Sequence, residues 1–171
     1  GSPVCGNNVT DMLGTYYYCH NITGNPVCGN NVTDMTATYR ECRNLTGSPV
    51  CGNKVTNMIS TYYGCNNLTG NPVCGNNVTN MSFAYYGCNN LSAGTSYFYS
   101  HKVSDATNCF YGKNNSRRYN IHVPANSTTL NTFLKNDANS IVGAAITWAN
   151  KSGAFYYNTV YNIYIYPNSS L

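Results

Sequence analysis

The chain has 171 residues, of which 29 are Asn, 17 Tyr, 15 Gly and 9 Cys, against only nine Lys or Arg and five Asp or Glu. With 42% apolar and 13% aromatic residues it can build a folded core, which excludes disorder as its default state. A net charge of +4 with no basic run longer than Arg117-Arg118 excludes a nucleic-acid reader, and the longest apolar stretch, Ile141 to Ile146, is far short of the roughly 20 residues of a membrane helix. The chain has no start methionine and no charged-then-apolar leader, so it reads as a mature or trimmed product.

Four units of 23 residues begin at Gly1, Gly24, Gly47 and Gly70. Each reads roughly G-[SN]-P-V-C-G-N-[NK]-V-T-[DN]-M, then a variable Tyr-containing stretch, then C-x-N-[IL]-[TS]. A fixed period of this length means stacked units, each too short to bury a core alone. In the first unit Met12, Tyr16 and Cys19 are spaced four and three residues apart, which predicts one face of a short helix. Thr10 and Asp11, with Thr33/Asp34, Thr56/Asn57 and Thr79/Asn80, offer N-cap oxygens for it. The Asn-Leu-Thr-Gly that closes each unit fits a short strand, and Gly and Pro turn the chain into the next.

The run V-T-[DN]-M, then Tyr-x-x-Cys, then Asn-Leu-Thr resembles the BspA-like leucine-rich repeat of microbial and protist surface proteins, over residues 1–92 and in all four copies. The chain departs from that pattern in having less Leu in the strand segment and a second cysteine per unit from Pro-Val-Cys-Gly. The resemblance implies a leucine-rich-repeat-like solenoid in a cell-surface or adhesive setting, and names no ligand.

Eight cysteines recur as Cys5/Cys19, Cys28/Cys42, Cys51/Cys65 and Cys74/Cys88, which favours an oxidising compartment and a secreted protein. Pairing within each unit is the first expectation. Pairing across a junction, such as Cys19 with Cys28, pairing of equivalent cysteines in adjacent coils, and free buried thiols remain open. Cys109 is left over, either a buried thiol or a link to another chain. No C-x-x-C occurs, so no metal or other cofactor is expected beyond covalent N-linked glycans. Twelve Asn-x-Ser/Thr sequons stand at Asn8, Asn21, Asn31, Asn44, Asn67, Asn77, Asn80, Asn90, Asn114, Asn126, Asn150 and Asn168. Seven of the eight in the repeats fall at two unit positions, the eighth and the twenty-first. Their middle Val, Ile or Leu should point inward and turn the Asn outward.

From residue 93 the period fades and a separate β-rich, sandwich-like module is expected, so that the whole reads as α+β with a boundary near residues 92–95. Strands are predicted over Tyr97 to Val103, Tyr119 to Val123, Ile141 to Trp148 and Phe155 to Tyr166, with a short helix carrying Leu130, Phe133 and Leu134. Chemistry is sparse. With acidic side chains only at Asp11, Asp34, Glu41, Asp105 and Asp137, a glycosidase carboxylate pair is not expected. His101, Ser104 and Asp105 lie close in sequence without a nucleophile elbow, and read as a polar turn. No enzyme is expected. The composition and repeats point to an extracellular structural glycoprotein whose copies assemble head-to-tail into a fibre or coat. The alternative is a cell-surface adhesin that binds a polysaccharide or protein through the variable residues 13–18 and their equivalents.

Overall fold

The computed structural model describes residues 1–91 and 94–171; Ser92 and Ala93, where the expected boundary falls, lie outside the described residues. Each 23-residue unit is one coil laid on the next. Asp11, Asp34, Asn57, Asn80 and Asp105 form a column of parallel backbone bridges, one per coil.

The segment expected to be helical is a train of tight turns. In the second unit Met35, Ala37, Tyr39 and Glu41 donate their N–H groups to carbonyls of Asn57, Ile59, Thr61 and Tyr63 in the third, at 2.7–2.9 Å. The residues between them, Thr38, Arg40 and Cys42, donate three residues back, at 3.0–3.3 Å. Alternate N–H groups therefore hold neighbouring coils together, which an α-helix cannot allow because it uses every one internally. The backbone makes this possible by entering the left-handed region at two positions four apart. Ala37 (φ 51°) and Glu41 (φ 61°) have counterparts at Gly14, Ser60, Phe83 and Asn108, and at Tyr18, Gly64, Gly87 and Gly112. Such residues cannot be accommodated in a right-handed helix, and a non-glycine one costs about 1–3 kcal/mol, which the coil-to-coil ladder offsets.

The expectation of an α+β leucine-rich-repeat-like solenoid with a helix per unit is therefore overturned. Among the described residues the one α-helix is α1, Thr128–Phe133, outside the four repeats, and the main element is a six-stranded mixed sheet. Its strands are β1 (Val73–Cys74), β2 (Thr95–Phe98), β3 (Tyr119–Pro124), β4 (Ala149–Asn150), β5 (Tyr156–Asn158) and β6 (Ile163–Asn168), in the order β1-β2-β3-β6-β5-β4. The first three pairings are parallel, continuing the coil stack, and the last two are antiparallel.

Among the described residues no separate sandwich forms. Val73 pairs with Tyr97 across the expected boundary, and Asn80 bridges to Asp105. Tyr85 and Gly87 donate to the carbonyls of Cys109 and Tyr111, so Asp105 to Gly112 stands where Asn80 to Gly87 stands one coil earlier. One contiguous core runs from Met12 to Ile165. The predicted strand over Ile141 to Trp148 is absent. Instead the carbonyls of Ser140 and Ile141 accept from Asn108 and Phe110, stacking this segment on the turn wall of the fifth coil. The short helix is present: Ser127 caps it by accepting from Leu130 N–H, and Thr129 and Thr132 anchor it to the carbonyls of Ser100 and Val103.

A column of rings fills the middle of the stack. Tyr16, Tyr39, Tyr62, Tyr85 and Phe110 lie face to face with centroids 5.3, 5.5, 5.7 and 5.4 Å apart. Each contact is worth about 0.5–1.5 kcal/mol beyond the area it buries. The hydroxyls cross the coil to the opposite wall. Tyr39 donates to the Val27 carbonyl at 2.7 Å and accepts from its N–H at 3.1 Å, and Tyr62 does the same with Val50. In the fourth coil Val73 belongs to β1, and the buried Tyr85 hydroxyl has no partner.

Candidate functional site

Because Tyr16 and its equivalents point inward, the next residue in each coil points out. That outer column reads Tyr17, Arg40, Tyr63, Tyr86 and Tyr111. The Arg40 guanidinium lies 4.3 Å from the Tyr63 ring centroid and 5.9 Å from that of Tyr17. Tyr63 and Tyr86 stack at 4.4 Å with planes 1° apart, and Tyr86 and Tyr111 at 4.9 Å and 14°. Tyr111 is 44% exposed and Tyr17 47%, so the ladder faces solvent along five coils.

Beside it runs the left-handed column. In coils three to five this column is glycine, but the Glu41 carboxylate lies over Gly64, its oxygens 2.7–2.9 Å from where a Cβ would stand, so the backbone is bare only at Gly87 and Gly112. Asn66 and Asn89 hold their side-chain carbonyls about 4 Å from where a Cβ on Gly87 and Gly112 would stand. Aromatic wall, bare backbone floor and amide rim together make a shallow groove. In the first two coils Tyr18 and Glu41 fill it, and Glu41 pairs with Arg43 at 3.0 Å. At its far end the groove opens into a cavity of about 430 Å³ lined in part by Tyr111, Gly112, Lys113, Gly143 and Tyr161. Lys113 takes the place that Cys88 holds one coil earlier. Its ammonium donates to the carbonyls of Asn114, Arg117 and Tyr161 at 3.3, 2.9 and 2.8 Å, and burial lowers it to about 8.

Residues 13–18 are legible from the repeats as variable positions, but Tyr111 and Gly112 are not legible as their counterparts, because the fifth coil lacks the V-T-[DN]-M signature. The signal that reaches them is Phe110-Tyr111-Gly112, spaced from Asp105 as Tyr85-Tyr86-Gly87 is from Asn80.

All nine cysteines are free thiols, so the expected within-unit bridges are not formed. The two cysteines of a unit stand in separate columns. The thiols that repel ionisation of Cys28, Cys42, Cys51 and Cys65 are the equivalent cysteines of adjoining coils, not their partners in the unit. Cys42 and Cys65 donate to the Tyr16 and Tyr39 carbonyls at 2.8 and 2.9 Å. Cys109 is fully buried where other coils carry Thr38, Thr61 or Ala84, which leaves it no surface for a bond to another chain.

Among the sequons, Asn8, Asn21, Asn44, Asn67, Asn90, Asn114, Asn126 and Asn150 are exposed. Asn31, Asn77, Asn80 and Asn168 are partly covered. Asn31, Asn44 and Asn77 donate their side-chain amides to carbonyls one coil earlier, at 2.9, 2.7 and 2.8 Å. Asn80 Oδ1 accepts from Ser82 N–H at 2.9 Å, and Asp11, Asp34, Asn57 and Asp105 make the same turn-closing bond. The expected helix caps are thus caps of turns. His101, Ser104 and Asp105 do not converge: His101 approaches the Leu171 carbonyl, Ser104 donates to the Thr79 carbonyl, and Asp105 accepts from Thr107 N–H. Among the described residues no group of three or more His, Cys, Asp or Glu could hold a metal ion, and no helix is long and apolar enough to cross a membrane.

No protein-family model, curated protein or solved structure matches the chain.

Proposed function

We propose that the protein is a secreted, N-glycosylated surface module that binds an extended partner, a polysaccharide strand or a protein segment, along its outer aromatic groove. The observation that carries this reading is the Tyr63, Tyr86 and Tyr111 ladder above a glycine floor. A column of rings left open on a rigid support supplies contact area at little entropic cost. The varied residues sit on a constant frame, which is how stacked-repeat proteins build contact surfaces. No catalytic role is assigned to the groove. Surface binding of the labelled full chain to cells or extracellular matrix tests the reading. Replacement of both Tyr63 and Tyr86 by Ala should lower saturable binding at least about tenfold, the loss of roughly 1.4 kcal/mol, with a cooperative melting curve showing that the variant is still folded. Unchanged binding by that variant refutes it.

A further inference from the structure

A second aromatic surface lies on the outer face of the sheet, away from the groove. Tyr97 on β2, His122 on β3 and Tyr166 on β6 are register partners, with ring centroids 5.0 and 4.9 Å apart. Phe155 continues the strip 5.2 Å from Tyr166, and Tyr164 stacks on Tyr157 at 5.8 Å with planes 14° apart. At the sheet's end the strip opens into a cleft of about 390 Å³ lined by Asn150, Lys151, Phe155, Tyr157 and Tyr164. That volume suits a sugar-sized ligand.

The cleft is held rigidly. The hairpin turn between β4 and β5 is closed by Lys151 N–H to the Phe155 carbonyl at 3.0 Å, by Ala154 N–H to the Lys151 carbonyl at 2.9 Å, and by Gly153 N–H to Asn150 Oδ1 at 2.6 Å. Across from Tyr157 on the edge strand stands Ala149, whose methyl group leaves the ring uncovered on that side. The charge is of one sign. Arg118 lies 3.9 Å from the Tyr164 ring centroid, and the Lys151 ammonium 5.9 Å from that of Phe155. No carboxylate belongs to β2, β3, β5, β6 or the turn. Arg118 is already fixed by donating to Asn120 and to the Tyr166 hydroxyl, whereas the Lys151 ammonium has no hydrogen-bond partner among the described residues. Apolar ring walls with one free cation at the rim match a ligand that has an apolar face and an anionic edge.

We propose that this cleft binds a uronic-acid sugar, its C–H face against Phe155, Tyr157 and Tyr164 and its carboxylate on Lys151. A neutral sugar would cover the rings but gain nothing from the cation, which stays in water. A simple anion would satisfy the cation and leave the rings wet. The site is separate from the outer groove, so either can fail without the other.

Calorimetric titration of the full chain with digalacturonate, and with galactobiose as its neutral match, tests the assignment. Digalacturonate is expected to bind, with galactobiose weaker by about tenfold or more. Lys151→Gln, at an exposed position, should bring the two sugars to similar affinity. Tyr157→Ala should abolish both while Tyr157→Phe retains them, with melting curves confirming that each variant is folded. Equal binding of the two sugars, no binding of digalacturonate, or binding indifferent to Lys151→Gln overturns the proposal. So does finding Asn150 glycosylated in native material, because a glycan there would fill the cleft itself.

Discussion

The inner and outer tyrosine columns are built from adjacent residues, Tyr62 beside Tyr63 and Tyr85 beside Tyr86, yet the same side chain does opposite work in the two. Inward, the ring is sealed between neighbours, and the hydroxyls of Tyr39 and Tyr62, though not that of Tyr85, bridge the two walls of the coil. Outward, the ring stacks with equal regularity, but one edge stays in water and the Tyr86 hydroxyl meets the neighbouring Tyr63 side chain rather than a coil wall. Regular stacking therefore does not distinguish the two columns; burial of the ring edge does. The two columns continue differently past the fourth coil. The inner one trades Tyr for Phe110, which needs no partner, while the outer one keeps Tyr111.

The largest effect should separate the columns outright. Tyr39→Ala removes a fully buried ring and should cost about 3–5 kcal/mol in denaturant unfolding, against about 1–2 kcal/mol for Tyr86→Ala, which loses two half-exposed ring stacks. A comparable loss from both would end the distinction.

Within the inner column, Tyr62→Phe leaves the Val50 N–H and carbonyl without their shared partner and should cost about 1–2 kcal/mol. Tyr85→Phe removes an orphaned buried hydroxyl and should be neutral or stabilising by about 1 kcal/mol. The sign difference, read from denaturation midpoints at constant slope, is the check.

Alkaline titration should give a smaller, opposed pair of effects. Burial pushes the Cys42 and Cys51 thiols from 9.0 up to about 12, so their contribution to stability is complete below pH 9 and is lost as the pH rises toward 12. Lys113 has the opposite sign. Its folded value of about 8 lies below its unfolded 10.5, so stability from this group is lost as the pH falls through 8 and is regained between pH 8 and 10.5. Melting temperatures of the full chain and of Lys113→Met should therefore converge across that window, and parallel curves would show that Lys113 is not desolvated.

Much of the stack was legible. The period, the inward Val, Met, Tyr, Cys and Leu positions and the short helix after Ser127 all follow from spacing alone. The secondary structure of the unit did not follow, because a four-and-three spacing has two physical origins. A helix brings Met35, Tyr39 and Cys42 to one side, and so does a chain of tight turns that enters the left-handed region at Ala37 and Glu41. Glycines at Gly14, Gly64 and Gly87 were the discriminating signal, but Ala37, Ser60 and Phe83 occupy the same conformation and hide it. The fifth coil escaped because its register runs 25 residues from Asn80 to Asp105, and its Cys109 and Lys113 replace the marks by which a coil is recognised. The uronate cleft was only faintly legible: aromatic faces in the last strands were visible, but which cation met which ring depended on a hairpin turn.

The column of backbone bridges from Asp11 to Asp105 also sets the rules by which the rod can change length. Every coil touches its neighbours through residues at the same unit position, so a gain or loss of one whole 23-residue unit leaves each column intact and merely lengthens or shortens the ladder. A gain of one residue inside a unit would carry a tyrosine from the sealed column to the open one in every coil it displaced. The two extra residues before Asp105 are tolerated because they fall between the bridged segments. Copy number is thus the free variable of this architecture, and the length of its outer aromatic ladder scales with it.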